Sequence, residues 1–224
     1  MKLPWWKHAL SYLWDIQIDY ASSEHNPDLI ILLTRGKIQL CTAKAVYSYE
    51  DRYENFRIII DRYIDYDKLS GRDVLILGLG LGSIPQMLDQ KSSINWVFTA
   101  VEIDETVIEL AHQYGFDKIN SDITTVTADA ETFVSIDEGL YDLIFVDLFI
   151  GETTPMKFRT ADFLMSLRDL CGDDGYIIYN TPAFTQDDRQ LSRVFFEEVF
   201  SVVLKRATLI KAHRNFMLIW KAGA

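Results

Sequence analysis

Beyond Gly71 the chain repeats one pattern. Short apolar runs (DVLILGL, WVFTAVEI, ITTVTAD, YDLIFVDL) alternate with segments of helical character (SIPQMLDQ, ETVIELAHQYG, AETFVSI). A run such as LIFVDL lacks the polar alternate of a half-solvated strand, so it suits a strand covered on both faces. Strand–helix alternation of this kind predicts parallel strands joined by crossover helices, a doubly wound α/β sheet. After a helix through ADFLMSLRDLC and a strand GYIIYNT, the pattern changes. QLSRVFFEEVF reads as a helix, and SVVLKRATLI and HRNFMLIWK as two strands separated by a short turn around Lys211-Ala212. Two strands so close must pair antiparallel.

Residues 15–50 read differently. DIQIDYAS, then DLIILLTRGKIQLCTA with Arg35-Gly36 at its reversal, then KAVYSYE, predict a small antiparallel β region. YENFRIIIDRYIDYD places Phe56, Ile59, Ile60 and Tyr63 at helical spacing, a helix joining this region to the main domain near Leu69-Ser70-Gly71. The expected division is 1–70, an N-terminal helix, β region and linking helix, and 71–224, a nucleoside-binding domain. With 224 residues, 49% hydrophobic, the chain can bury one large core beside a small appendage.

Net charge is −11 and no basic run interrupts it, so a nucleic-acid partner would be held against repulsion, whereas a cationic substrate would be attracted. Two cysteines and four scattered histidines imply no metal and no disulfide framework. No run approaches a membrane span, and the opening MKLPWWKHALSYLW is broken by Lys7 and His8 before a signal-length apolar core forms. A cytoplasmic protein with no membrane partner is the expectation. The short terminal helix carrying Trp5, Trp6 and Trp14 is expected to pack on the core, the alternative being a subunit contact or a membrane surface.

The run VLILGLGLGSIP supplies the site. In doubly wound sheets the ligand lies beyond the carboxyl ends of the strands, over the first strand-to-helix turn. Gly78, Gly80 and Gly82 fit that turn, and Pro85 fits the first turn of the following helix. Their spacing is GxGxG rather than the GxGxxG of dinucleotide folds, which disfavours NAD, and no GKS or GKT lysine is present for a triphosphate. Glu102 ends the second strand at about the 20-residue spacing of a ribose-binding acid. Asp104 is expected to cap the helix that follows. Asp129 ends the third strand, where it either accepts from an adenine amino group or caps a helix; Asp147 ends the fourth, over the reacting end, where it can orient an attacking amine or take its proton. Glu152, in the loop through Pro155, is a weaker catalytic candidate. Three acids above one glycine turn favour an adenine nucleoside with its ribose.

RGKIQLCTAKAVYSYED, VLILGLGLGSIPQML, VEIDETVIELA, VTADAETFV, YDLIFVDL and FRTADFLMSLRDLCGDDGYIIYN together resemble the spermidine synthases (polyamine aminopropyltransferases) and the methyltransferases related to them. The resemblance implies a Rossmann-like doubly wound α/β sheet with a C-terminal antiparallel hairpin, of the class I S-adenosylmethionine-dependent transferase layout, preceded by a small antiparallel β region. It also implies that Glu102 binds ribose hydroxyls, Asp129 binds adenine, Gly78 and Gly80 pass under the nucleoside, Gln39 faces it from the hairpin, and Asp147 is the acid nearest the acceptor. The implied donor is S-adenosylmethionine or its decarboxylated form, the implied acceptor a small molecule, in the family an amine, and the implied assembly a homodimer or larger.

The chain departs from the family pattern at three places. Leu81 stands where the family's GGGDGG turn has the acid that recognises an aminopropyl group. Asp147 is followed by Leu148, Phe149, Ile150 and Gly151 rather than by the second acid of DxxDP, and ATLIKAHRNFMLI replaces a PTYPSGxWGF-like segment. These departures make methyl transfer the leading expectation, aminopropyl transfer the alternative, and a non-catalytic nucleoside-binding protein the third.

Overall fold

The computed structural model describes residues 3–42 and 45–223. Helix α1 (Trp5–Leu10) leads into an antiparallel sheet, β1 (Ile16–Ala21), β2 (Leu29–Thr34), β3 (Lys37–Cys41) and β4 (Val46–Ser48), paired in chain order. Arg35 and Gly36 both have positive φ, 49° and 76°, and Thr34 pairs with Lys37. This is the two-residue turn whose twist matches that of the strands. Lys44, which opens the expected KAVYSYE strand, lies outside the described residues. Helix α2 (Glu54–Arg62) is shorter than its sequence pattern and gives way to a 3-10 turn at Tyr66–Lys68.

The second sheet contains β5 (Asp73–Leu77), β6 (Val97–Glu102), β7 (Asp122–Thr127), β8 (Tyr141–Val146), β9 (Cys171–Pro182), β10 (Thr208–Ala212) and β11 (Asn215–Lys221). Between them run α3 (Ser83–Lys91), α4 (Glu105–Tyr114), α5 (Ala130–Ile136), α6 (Ala161–Asp169) and α7 (Gln186–Phe195). The spatial order is β10-β11-β9-β8-β5-β6-β7, with β5 to β9 parallel and the last two strands antiparallel. This is the expected Rossmann-like doubly wound sheet with its terminal hairpin.

The alternation of β5 builds two cores. Val74 and Ile76 face one side with Phe98, Phe145 and, from the small sheet, Leu29, Ile31 and Leu33; Leu75 and Leu77 face the other with Ile144, Leu164 and Phe200. The first cluster is continuous from the small sheet through Phe56 of α2, whose ring meets Phe145 edge-on at 5.8 Å. That packing seats the small sheet against one face of the large one.

Two expectations near the carboxyl end need correction. The first half of SVVLKRATLI is not strand: α7 runs on through a π-helical turn, Phe196–Phe200, and a final turn, Ser201–Val203, before the strand begins at Thr208. Phe200 and Leu204 are fully buried, and Phe200 contacts the rings of Tyr179 and Phe195, each at 5.9 Å. Burial on a helical face overrides the β-branched composition there. The hairpin turn is also displaced, to His213-Arg214, with Ala212 paired to Asn215 and His213 at φ 54°.

The amino terminus departs as well. Helix α1 buries none of its residues, and Trp5 and Trp14 are 81% and 58% exposed. What docks is polar: the buried Ser11 accepts from Arg35 N through its carbonyl (2.7 Å) and from Gly36 N through its hydroxyl (2.8 Å). Among the described residues no helix is long and apolar enough to cross a membrane.

Candidate active site

Sheet order reverses between β5 and β8, so the connections leaving their carboxyl ends run to opposite faces of the sheet and open a crevice. Both strand ends are pinned there, Gly78 N donating to Val101 O (2.9 Å) and Asp147 N to Leu77 O (2.8 Å). Gly78 is required by this approach: at φ 90°, a Cβ on it would lie 2.3 Å from Asp147 O. Gly80, at φ 54°, would place a Cβ 3.1 Å from both Tyr47 O and Ser48 Cβ. The glycine turn therefore lets β4 of the small sheet come down onto it.

Between the two sheets lies a cavity of about 1120 Å³. Gln39, Gly78, Gly80, Glu102, Asp129 and Asp147 all line it. Gly82 does not. Its φ of 82° serves the start of α3, and a Cβ there would meet Phe116 and Ile119 at 3.4 and 3.2 Å, so it is a packing glycine rather than a ligand contact.

Glu102 is fixed by three backbone donors. Its Oε1 accepts from Ile103 N (2.9 Å) and Asp104 N (3.2 Å), and its Oε2 from Leu79 N (3.1 Å). Burial nevertheless raises its pKa above the usual carboxylate value, against the opposing effect of these donors. Oε2 keeps acceptor capacity for one further donor. Asp104 caps α4 through Thr106 N (3.1 Å), as expected, and also accepts from Asn26 Nδ2 (2.6 Å), tying the β1–β2 loop to this strand end.

Asp129 is occupied. Oδ1 caps α5 by accepting from Glu131 N and Thr132 N, both at 3.1 Å, and Oδ2 forms an ion pair with Lys157. Despite the desolvation of this partly buried group, Lys157 and the backbone donors hold the Asp129 carboxyl below the ordinary value. Its cap role, one of the two sequence alternatives, is thus present in the structure, and Lys157 is a cavity residue the sequence pattern did not single out.

Asp147 sits at the centre of a polar chain. Its Oδ1 accepts from Asn180 Nδ2 (2.8 Å) and Tyr53 OH (3.3 Å), and Asn180 Oδ1 in turn accepts from Asn215 Nδ2 (2.8 Å). Burial raises the Asp147 pKa to about 7 even though the two donors to Oδ1 oppose it, and the Glu102 charge raises it further. A carboxyl poised there exchanges protons near neutrality, as a general base must. Tyr53, Asn180 and Asn215 come from three distant segments. The one sequence signal among them was Asn180, a polar side chain inside the apolar run GYIIYNT.

Leu81 points away from the cavity. It is 2% exposed within the first core cluster. Its position removes an acid from the turn without presenting an apolar wall to a ligand. Glu152 lies on the exposed margin, in a loop whose Gly151 N donates to Tyr47 OH (3.2 Å), while Tyr47 OH donates to Asn26 Oδ1 (3.1 Å). Among the described residues no group of three or more His, Cys, Asp or Glu is placed to hold a metal ion.

The spermine/spermidine synthase domain model matches residues 64–222. The polyamine aminopropyltransferase of Vibrio vulnificus is 32% identical over 111 residues, 48% of this chain and 37% of that protein. An N-terminal histidine N-methyltransferase of Emericella nidulans is 34% identical over 116 residues, 50% of this chain and 20% of that protein. The chain thus spans little more than a third, or less, of the length of these curated relatives. Among solved structures, spermidine synthase from Thermotoga maritima superposes with a TM-score of 0.72 at 16% identity, covering 92% of this chain and 73% of that one. That likeness establishes the fold, and the sequence relatives are transferases of two kinds.

Proposed function

The chain belongs to the spermine/spermidine synthase family, and from that membership we propose that it is an S-adenosylmethionine-dependent methyltransferase acting on a small amine. The observation that carries the choice is Leu81: its side chain is buried in the core, and no carboxylate hangs from the glycine turn to pair with the free ammonium of a decarboxylated donor or to repel the carboxylate of the intact one. The presence of methyltransferases among the sequence relatives supports the same choice.

The residues suit an adenosyl donor. Gly78 and Gly80 keep the floor of the cavity free of side chains, Glu102 offers Oε2 to a ribose hydroxyl, and Gln39 faces the same space from β3. Asp129 is assigned to the adenine amino group, sharing Oδ2 between that group and Lys157. A sulfonium donor supplies a methyl carbon open to in-line attack and leaves as a neutral thioether, so the protein's task is chiefly positioning and exclusion of water. Asp147, with Tyr53 and Asn180 fixing Oδ1, orients the acceptor amine. When the amine nitrogen forms its bond to the methyl carbon and the carbon–sulfur bond breaks, Asp147 takes the proton that the nitrogen must lose.

Aminopropyl transfer is the second reading. Asp147 would serve it in the same role, and the Vibrio vulnificus relative favours it. Calorimetric titration with S-adenosylmethionine and with its decarboxylated form separates the two. Tighter binding of the intact donor is expected; tighter binding of the decarboxylated donor transfers the assignment to aminopropyl transfer, and binding of neither ends both readings.

A further inference from the structure

The cavity that holds Asp147 is also lined by cations, in a chain that is strongly acidic overall. Arg52 immediately precedes Tyr53, whose hydroxyl donates to Asp147; Arg214 immediately precedes Asn215, which donates to Asn180 and through it reaches Asp147. Both arginines line the cavity. Among the described residues neither has a carboxylate at ion-pair distance, unlike Lys157 on the same cavity, which pairs with Asp129.

Each guanidinium rests instead on an aromatic ring. Arg214 lies over Phe184 at 4.8 Å from the centroid, and Arg52 over Tyr49 at 5.9 Å, with one N–H donated to the Tyr49 hydroxyl at 3.5 Å. A guanidinium held against a ring in this way keeps further N–H donors that can receive a carboxylate in a two-pronged contact. Glu54 and Glu152 line the cavity as well, and His213 faces Glu54 at 3.8 Å.

We infer that the acceptor is zwitterionic, a small amine that presents its amino group to Asp147 and its own carboxylate to Arg52 and Arg214, rather than a diamine. This rests on the transferase reading above, with Asp147 as the acid nearest the amine. It specifies the substrate class by charge: an ammonium at the far end of a diamine would meet two unneutralised guanidinium groups.

A matched pair of probes tests it. Putrescine and 4-aminobutanoate have the same chain length and share one amino end, differing in whether the other end is an ammonium or a carboxylate. Binding of S-adenosylhomocysteine is measured first, since its absence would refute the donor site rather than this inference. With the nucleoside bound, 4-aminobutanoate should bind at least 10-fold tighter than putrescine. R52Q and R214Q should each weaken 4-aminobutanoate by about 10- to 100-fold, the scale of a lost charge-assisted contact, with nucleoside affinity unchanged to show that the site is still folded. Tighter putrescine binding, binding of neither amine to the nucleoside-loaded protein, or unchanged 4-aminobutanoate affinity in both variants would overturn the inference.

Discussion

Asp147→Asn should make the protein more stable at pH 8, and by an amount that depends on pH. The native carboxyl titrates near 7 because burial penalises its charge, whereas an unfolded aspartate titrates near 3.9. The folded state therefore holds the extra proton between these values, and stability falls as pH rises through that window by up to about 1.4 kcal/mol per unit. Above pH 7 the ionised group would cost about 4 kcal/mol, but the carboxyl lines an open cavity whose solvent relieves part of this, leaving roughly 2–4 kcal/mol. Both protein donors, Asn180 Nδ2 and Tyr53 OH, go to Oδ1, so an asparagine with its oxygen in that place keeps them and only exchanges Oδ2 for a neutral amide nitrogen. Urea denaturation of both proteins at pH 5 and pH 8.5 should show the variant's advantage growing by about 2 kcal/mol or more between the two. An advantage equal at both pH values, or a variant less stable than the parent at pH 8.5, would refute the assignment of a raised pKa. The same substitution should abolish proton uptake from the acceptor, so stability and transfer move in opposite directions, the usual cost of a functional charge held in a buried place.

Other perturbations test the packing that builds the crevice. Gly78→Ala puts a Cβ 2.3 Å from the Asp147 carbonyl at a φ of 90°, and should cost about 3 kcal/mol or more in thermal unfolding together with the loss of nucleoside binding. Parent-like unfolding would mean that β5 and β8 do not meet so closely. Arg159 is 5% exposed, with Nε and Nη1 unpaired, its guanidinium 5.8 Å from the Phe195 centroid. Arg159→Met should raise stability by about 1–3 kcal/mol, because a similar volume is filled without desolvating a charge; a loss of more than about 1 kcal/mol would show that the guanidinium finds partners in solution.

Much of the fold was legible locally. The continuous apolar runs of β5 and β8, the Asp104 cap and the Arg35-Gly36 turn depend on neighbours within a few residues, and the structure agrees with each. Where local patterns compete, sequence was insufficient. Val202, Val203 and Leu204 carry strand-forming composition, yet the burial of Phe200 and Leu204 against Tyr179 and Phe195 continues the helix. The terminal tryptophans looked like core residues, but a polar contact at Ser11 fixes that segment and leaves them in solvent.

For the candidate site, the sequence by itself determined that glycines and acids fall at the ends of successive parallel strands, because strand periodicity and turn chemistry are properties of short segments. Only the tertiary structure decided which of them share the cavity. It turned Leu81 inward and Gly82 onto Phe116, engaged Asp129 with Lys157, and brought Tyr53, Asn180 and Asn215 into one chain with Asp147. The direction of a side chain in a tight turn and the proton affinity of a carboxyl depend on neighbours from distant segments, which become neighbours only when the two sheets close on one another.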